Sequence, residues 1–148
     1  MEFEKLVQSP IGLLTIVSDG ESVTALRFGD QTRGLSDCPI LERAATELRE
    51  YFAGTRRVFD VPLNAQGTDF QRSVWAALQE IPYGKTASYA QIASAIGKSA
   101  ACRAVGSANH RNPLPIFIPC HRVIGKNGTL TGYAGGLSIK EFLLRLEQ

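Results

Sequence analysis

The chain has few cysteines, few histidines and no long apolar run, and each shortage removes a class of protein. Its 148 residues include three cysteines, Cys38, Cys102 and Cys120, and two histidines, His110 and His121. An odd cysteine count with no CxxC spacing argues against a disulfide scaffold, and with so few histidines it argues against a structural zinc site. No metal and no cofactor are therefore expected, and a reducing compartment is. No uninterrupted apolar stretch approaches the roughly 20 residues of a membrane helix. The start, MEFEKLVQSP, has acids where a secretory signal would have a basic segment. A cytoplasmic protein without membrane contact is the expectation. With 44% hydrophobic and 20% charged residues, the chain can bury a core in one compact unit or two small domains.

Acid is missing too, but only locally. The net charge is +2, yet from Ile81 to Lys140 there is no Asp or Glu at all. Lys85, Lys98, Arg103, Arg111, Arg122, Lys126 and Lys140 make that stretch basic, whereas residues 1–80 are net acidic. Sixty acid-free residues in a folded domain suit a polyanionic partner such as nucleic acid. Seven cations so widely spaced also suit an ordinary solvated surface.

Pattern divides the chain in the same place. Phe3 to Val7, Leu13 to Val17 and Val23 to Phe28 are short apolar and β-branched runs separated by Ser9-Pro10-Ile11-Gly12 and Asp19-Gly20, which predicts an antiparallel meander. Pro39 stands at a first helical position, and Leu41, Ala45, Leu48 and Phe52 mark one helix face that Gly54 ends. Val58 to Leu63 reads as one further strand, and Asn64 to Gly67 as a linker. The expected division is 1–63 and 64–148, within an α+β chain.

Beyond Thr68 the grammar is helical. Thr68-x-x-Gln71 and Ser88-x-x-Gln91 are capping-box patterns. The first opens a helix with Phe70, Val74, Trp75 and Leu78 inward; the second opens one with Tyr89, Ile92, Ala93 and Ile96 on one face. A third helix is expected from Lys98-Ser99 to about Ala108. Two short helices across a glycine turn outline a helix-turn-helix, and equally an ordinary helical hairpin. The third helix has almost no bulk, with Ala100, Ala101, Ala104, Gly106, Ser107 and Ala108 around one long cation, Arg103. Such a surface suits close packing inside the protein or close approach to a DNA groove.

Next, Pro113, Pro115 and Pro119 forbid helix while Ile116, Phe117 and Ile118 demand burial, so the chain arrives stiffly at Cys120. A buried cysteine is commonly an inert small hydrophobe. Here His121 follows and Arg122 flanks it, a setting that would lower a thiol pKa and favour a nucleophilic thiolate. Both readings stand on the residues alone. Val123 to Leu130 carries a β-hairpin signal through Asn127-Gly128, a wing following the helices. Gly132-Tyr133-Ala134-Gly135-Gly136 is a close-approach loop, and a last helix is expected to pack Ile139, Phe142, Leu143 and Leu146 inward.

The run PIFIPCHRVIGKNG resembles the PCHRV motif of the O6-alkylguanine-DNA alkyltransferases. SYAQIASAIG, CRAVGSANHRNPLPIFIPCHRV and GYAGGLSIKEFLLRLE extend the resemblance without a gap from about Phe70 to the end, roughly half the chain. The first half is similar only in layout, to the family's ribonuclease-H-like domain. The resemblance implies a winged helix-turn-helix second domain and a monomer acting on double-stranded DNA that contains alkylated guanine, with O4-alkylthymine as a second candidate substrate. It implies one irreversible transfer per chain, onto Cys120.

By position it also implies that His121 is the base acting through a water, that Glu147 holds it, that Asn112 braces the preceding turn, and that Lys140 lies near the site. Tyr89 would donate to the flipped purine. Backbone groups at Cys120 and Val123, together with Tyr133 and Ala134, would line its pocket. Arg103 would fill the vacated stack, with Ala104, Gly106 and Lys126 on the DNA. Two departures stand out. The first half has only Cys38 where some relatives bind zinc, and Ala134 stands where some have Ser, leaving a backbone amide for any contact there. A Cys-His hydrolase and a non-catalytic lesion binder are the rival readings. The first would need an oxyanion hole, and relatives of the second lack the acceptor cysteine that this chain has.

Overall fold

The computed structural model describes residues 1–148 and divides the chain into two compact units, Met1–Gln66 and Gly67–Gln148. No helix is long and apolar enough to cross a membrane.

In the first unit, strands β1 (Phe3–Ser9), β2 (Gly12–Ser18) and β3 (Val23–Phe28) form the expected antiparallel meander in that order. The middle strand is buried from Leu14 to Ser18. Its polar members are satisfied locally: Thr15 Oγ1 donates to Gly29 O at 2.8 Å, and Ser18 Oγ donates to Ser22 O at 2.6 Å. Helix α1 (Pro39–Phe52) covers this sheet through Leu41, Ala44, Ala45, Leu48 and Tyr51. Each buried leucine among them contributes about 1.5–3 kcal/mol. Tyr51, not the expected Phe52, is the aromatic ring driven fully inside.

The strand expected from Val58 to Leu63 does not form. Glu47 is buried on α1, and its Oε1 accepts the backbone N–H groups of Asp60 and Val61 at 2.9 and 3.1 Å. A carboxylate thereby takes donors that a neighbouring strand would have used, and only Leu63 bridges to Val23.

The second unit opens with α2 (Asp69–Gln79), closed at its start by the Thr68–Gln71 capping box. Val74, Trp75 and Leu78 turn inward, and Trp75 Nε1 donates to Ala108 O at 2.8 Å. The Ser88–Gln91 capping box starts α3 (Tyr89–Ala95) immediately after the two-residue strand β4 (Ala87–Ser88). Helix α3 ends in a Schellman motif. Gly97 sits at φ 72°, its N–H bonds Ser94 O, and Lys98 N–H bonds Ala93 O at 2.8 Å. Lys98 to Ala101 form a turn, so α4 (Cys102–His110) begins later than expected. Helices α2, α3 and α4 pack on one another.

The hairpin expected around Asn127-Gly128 is also absent, although the turn itself is present, with both residues at positive φ. Strand β5 (Val123–Ile124) pairs in parallel with β4. The Lys140 ammonium donates to Val123 O at 2.6 Å and to Thr131 O at 3.2 Å. It bridges carbonyls on the two sides of the turn, which is closed by Gly125 N–H on Thr129 O at 2.7 Å without a ladder beyond it. Lys140 comes from α5 (Leu137–Leu146), whose Leu143 is fully buried. Phe142, expected inside, is exposed, because the buried positions of α5 are taken by Lys140 and Leu143.

Candidate active site

Cys120 is presented by a chain that has little freedom to move. Asn112 Nδ2 donates to Ile118 O, and Leu114 N–H donates to Asn112 Oδ1, both at 2.9 Å, which closes the 112–118 loop on one side chain. Ile116 lies inside that loop at φ 76°, a conformation unfavourable for a β-branched residue and held by the burial around it. Pro119 then has φ −78° and ψ 64°, and Cys120 N–H bonds Ile118 O at 2.7 Å. Those values define an inverse γ-turn centred on Pro119. One turn of 3₁₀ helix, Cys120–Arg122, follows. Asn109, at the end of α4, donates to Cys120 O at 3.5 Å.

The thiol is buried, and burial raises its pKa to about 11, because the anion would lose its water. The Asn112 side chain, the Lys140 charge and the Tyr133 side chain all act in the opposite direction without prevailing. The expectation that the adjacent His and Arg lower this pKa is therefore corrected. Arg122 is turned elsewhere. Its Nε and Nη2 donate to the two oxygens of Glu147 at 2.8 and 3.0 Å, its Nη1 donates to Ile81 O at 2.7 Å, and its guanidinium lies 5.8 Å from the Tyr83 ring centre.

Glu147 also meets His121, with Nε2 and Oε2 at 2.7 Å, both side chains being buried. Burial holds the imidazole pKa below its ordinary value despite the carboxylate beside it, so the ring is neutral near pH 7. A neutral ring that donates from Nε2 to a carboxylate keeps a lone pair on Nδ1. That atom is buried and makes no hydrogen bond within the protein. A chemically competent base thus lies next in sequence to a neutral thiol. Glu147 is reached from a third side as well, since Gly84 N–H lies 3.4 Å from Oε1. A Cβ on Gly84 would come within 2.9 Å of Glu147 O, so only glycine permits this approach.

Cys120, His121, Glu147, Asn112, Tyr133 and Lys140 are thus brought together by α5 and its C-terminal end, the 3₁₀ turn, the loop before that turn and the glycine loop that carries Tyr133. Tyr89 stands at the start of α3, its hydroxyl 2.5 Å from Thr131 Oγ1. Val123 is buried beside the turn, with its carbonyl on Lys140. Ala134 is exposed in the glycine loop. Arg103 and Ala104 are exposed on α4, Gly106 is half-buried, and Lys126 is exposed. Ser88, Gln91, Lys126, Asn127 and Gly128 help to line a groove of about 330 Å³. Residues 81–140 hold no acid, and no cluster of His, Cys, Asp or Glu forms that could hold a metal ion. The sequence reading missed Asn109 and Thr131. Asn109 had a weak signal, an amide in the last turn of a helix of small residues, where Asn is a poor helix former. Thr131 had none.

Two family models match the chain: the DNA-binding domain of 6-O-methylguanine DNA methyltransferase over residues 69–148, and its ribonuclease-like domain over residues 3–65. The chain belongs to this methyltransferase family. It is 46% identical to the constitutive methylated-DNA-protein-cysteine methyltransferase of Bacillus subtilis, over 100% of this chain and 96% of that one. It is 50% identical to the enzyme of the same name from Methanosarcina acetivorans, over 96% of each. The crystal structure of Mycobacterium tuberculosis OGT in complex with DNA superposes with a TM-score of 0.91 at 48% identity, covering 98% of this chain and 92% of that one. Family membership therefore spans the first unit too, where the sequence offered only a likeness of layout.

Within the family fold, the Arg122–Glu147 pair is the contact whose loss is expected to be most costly. Arg122→Leu leaves the Glu147 carboxylate buried without its cation, and unfolding in denaturant should show a loss of about 3–5 kcal/mol. Replacing Glu147 by Leu in the same chain should recover part of that loss, because two apolar side chains leave no buried charge.

Proposed function

We propose that this protein repairs alkylated DNA directly, taking the alkyl group from O6 of guanine onto Cys120 in a single, irreversible turnover. The observation that carries the reading is the arrangement of one rigidly presented buried thiol beside a neutral, carboxylate-anchored histidine, in a chain of the methyltransferase family. The DNA complex of the Mycobacterium tuberculosis relative supports DNA as the partner.

In the proposed reaction His121 Nδ1 takes the thiol proton through a water, and the sulfur attacks the alkyl carbon in line with the C–O bond. A C–S bond forms, the C–O bond breaks, and the purine leaves with its electron pair. Its negative charge is met by a hydrogen bond from Tyr89 and neutralised by a proton from solvent, while His121 gives up the thiol proton to solvent, so that one proton in net moves from sulfur to guanine. Asn112 and Lys140 support the sulfur as it gains charge. The product is a thioether that neutral water does not cleave, and one chain repairs one lesion. Val123, Tyr133 and Ala134 line the purine site in this reading, with the Ala134 backbone amide near O6.

Because O6 is hidden in stacked DNA, the nucleotide must be extruded, at a cost of a few kcal/mol. Helix α4 suits the groove. Its exposed face has Arg103 and Ala104 as its long and short members, and small residues allow close approach of the backbone. Arg103 fills the vacated stack, Gly106 admits the backbone, and Lys126 meets phosphate at the edge of its groove. The two units divide the work: Met1–Gln66 is structural, and Gly67–Gln148 binds DNA and accepts the alkyl group.

Intact-protein and peptide mass spectrometry after incubation with a duplex containing O6-methylguanine tests this reading. One methyl group per chain, on the Cys120 peptide, is expected. Continued turnover would indicate a hydrolase, and binding without an adduct would indicate a lesion binder; either outcome overturns the proposal. Arg103→Ala should slow repair of the duplex by tens of fold, since an inserted side chain recovers part of the extrusion cost and about 1.4 kcal/mol is tenfold in rate. Reaction with free O6-benzylguanine should stay within about threefold, because nothing is extruded there. Equal losses on both substrates would assign Arg103 to the pocket or scaffold.

A further inference from the structure

Thr131 lies outside every role described so far, yet three contacts fix it. Its hydroxyl oxygen is 2.5 Å from the Tyr89 hydroxyl. Its carbonyl accepts from Lys140 Nζ at 3.2 Å. Its methyl group faces Gly125 so closely that a Cβ there would lie 3.0 Å from it. With the methyl against Gly125 and the backbone held by Lys140, the hydroxyl has one direction left, toward Tyr89. The Tyr89 ring lies over Gly106 of α4, where an added Cβ would just reach it at 3.8 Å, and Thr131 meets it at the hydroxyl end.

A phenol has one hydrogen and can accept as well as donate. If Tyr89 gave that hydrogen to Thr131, none would remain for the purine. We propose that Thr131 donates to the Tyr89 oxygen, which turns the phenol hydrogen toward the bound base and makes it a stronger donor as negative charge develops there. Thr131 is on this account a positioning residue that acts through Tyr89. Lys140 fixes it through the backbone, so the same ammonium that supports the sulfur also sets the direction of the phenol. The proposal rests on Tyr89 being the donor to the purine.

The test is the single-turnover rate with free O6-benzylguanine for Thr131→Val, Thr131→Ser, Tyr89→Phe and the Thr131→Val/Tyr89→Phe pair, each checked by thermal unfolding. Thr131→Val should slow transfer about tenfold, the effect of losing one hydrogen bond of ordinary net strength. Thr131→Ser, which keeps the hydroxyl, should stay within about threefold of the parent, and adding Thr131→Val to Tyr89→Phe should cost less than about twofold. A purely structural role would not vanish when the phenol hydroxyl is removed. Full additivity of the two losses, or a Ser variant as slow as Val, would overturn the role of Thr131 while leaving Tyr89 as donor. A Tyr89→Phe variant as fast as the parent would overturn the donor role itself, and the proposal with it. The Ser variant and the pair keep the test decisive even if Thr131→Val unfolds.

Discussion

Taking the Arg122 guanidinium and the Glu147 carboxylate out of water costs several kcal/mol per ion, and their mutual attraction offsets this only when the geometry is close to ideal. Here it is bidentate, with the third guanidinium nitrogen donating to Ile81 O. Once paired, Glu147 has an oxygen left for His121, and the orientation of the imidazole follows from that contact. The pair joins the end of α5, the turn after α2 and the 3₁₀ turn that bears Cys120. Geometry and chemistry at the site therefore depend on the same buried charges.

Burial has two opposed effects on Cys120. It keeps bulk solvent and competing reagents from the sulfur, and it raises the thiol pKa to about 11, so the nucleophile is almost wholly protonated at neutral pH. A site that relied on cations alone would need them pointed at the sulfur, and Arg122 is pointed away. What remains is proton removal at the moment of reaction. The low pKa of His121 is useful for this reason: a ring already protonated could take nothing from the thiol.

Much of this was legible in the sequence because the signals are local. Both capping boxes, the meander, the helix beginning at Pro39 and the stiff approach to Cys120 follow from residues a few positions apart. What escaped depends on side chains from distant elements. Glu47 removes the strand at Val58 to Leu63 by taking its donors, and at Asn127-Gly128 the turn forms but Val123 and Ile124 pair with β4 while Lys140 bridges Val123 O and Thr131 O. In each case the local propensity is real and a partner distant in sequence decides the pairing. The same limit applied at the site. Arg122 was read as a neighbour of the thiol from adjacency in sequence, but adjacent residues on a 3₁₀ turn point in different directions. The motif identified the residues, and only the fold showed which of them touch.

The proton relay makes a claim that a pH profile can decide. With the parent protein and free O6-benzylguanine, the single-turnover rate should be governed by neutral His121 and protonated Cys120 together. It should stay flat from about pH 7 to about 9, between the lowered histidine pKa and the raised thiol pKa, and fall only on acidification below the ordinary imidazole range. A rate that instead climbs about tenfold per pH unit across that interval, toward the thiol pKa of about 11, would mean that Cys120 ionises without His121, and would contradict the account.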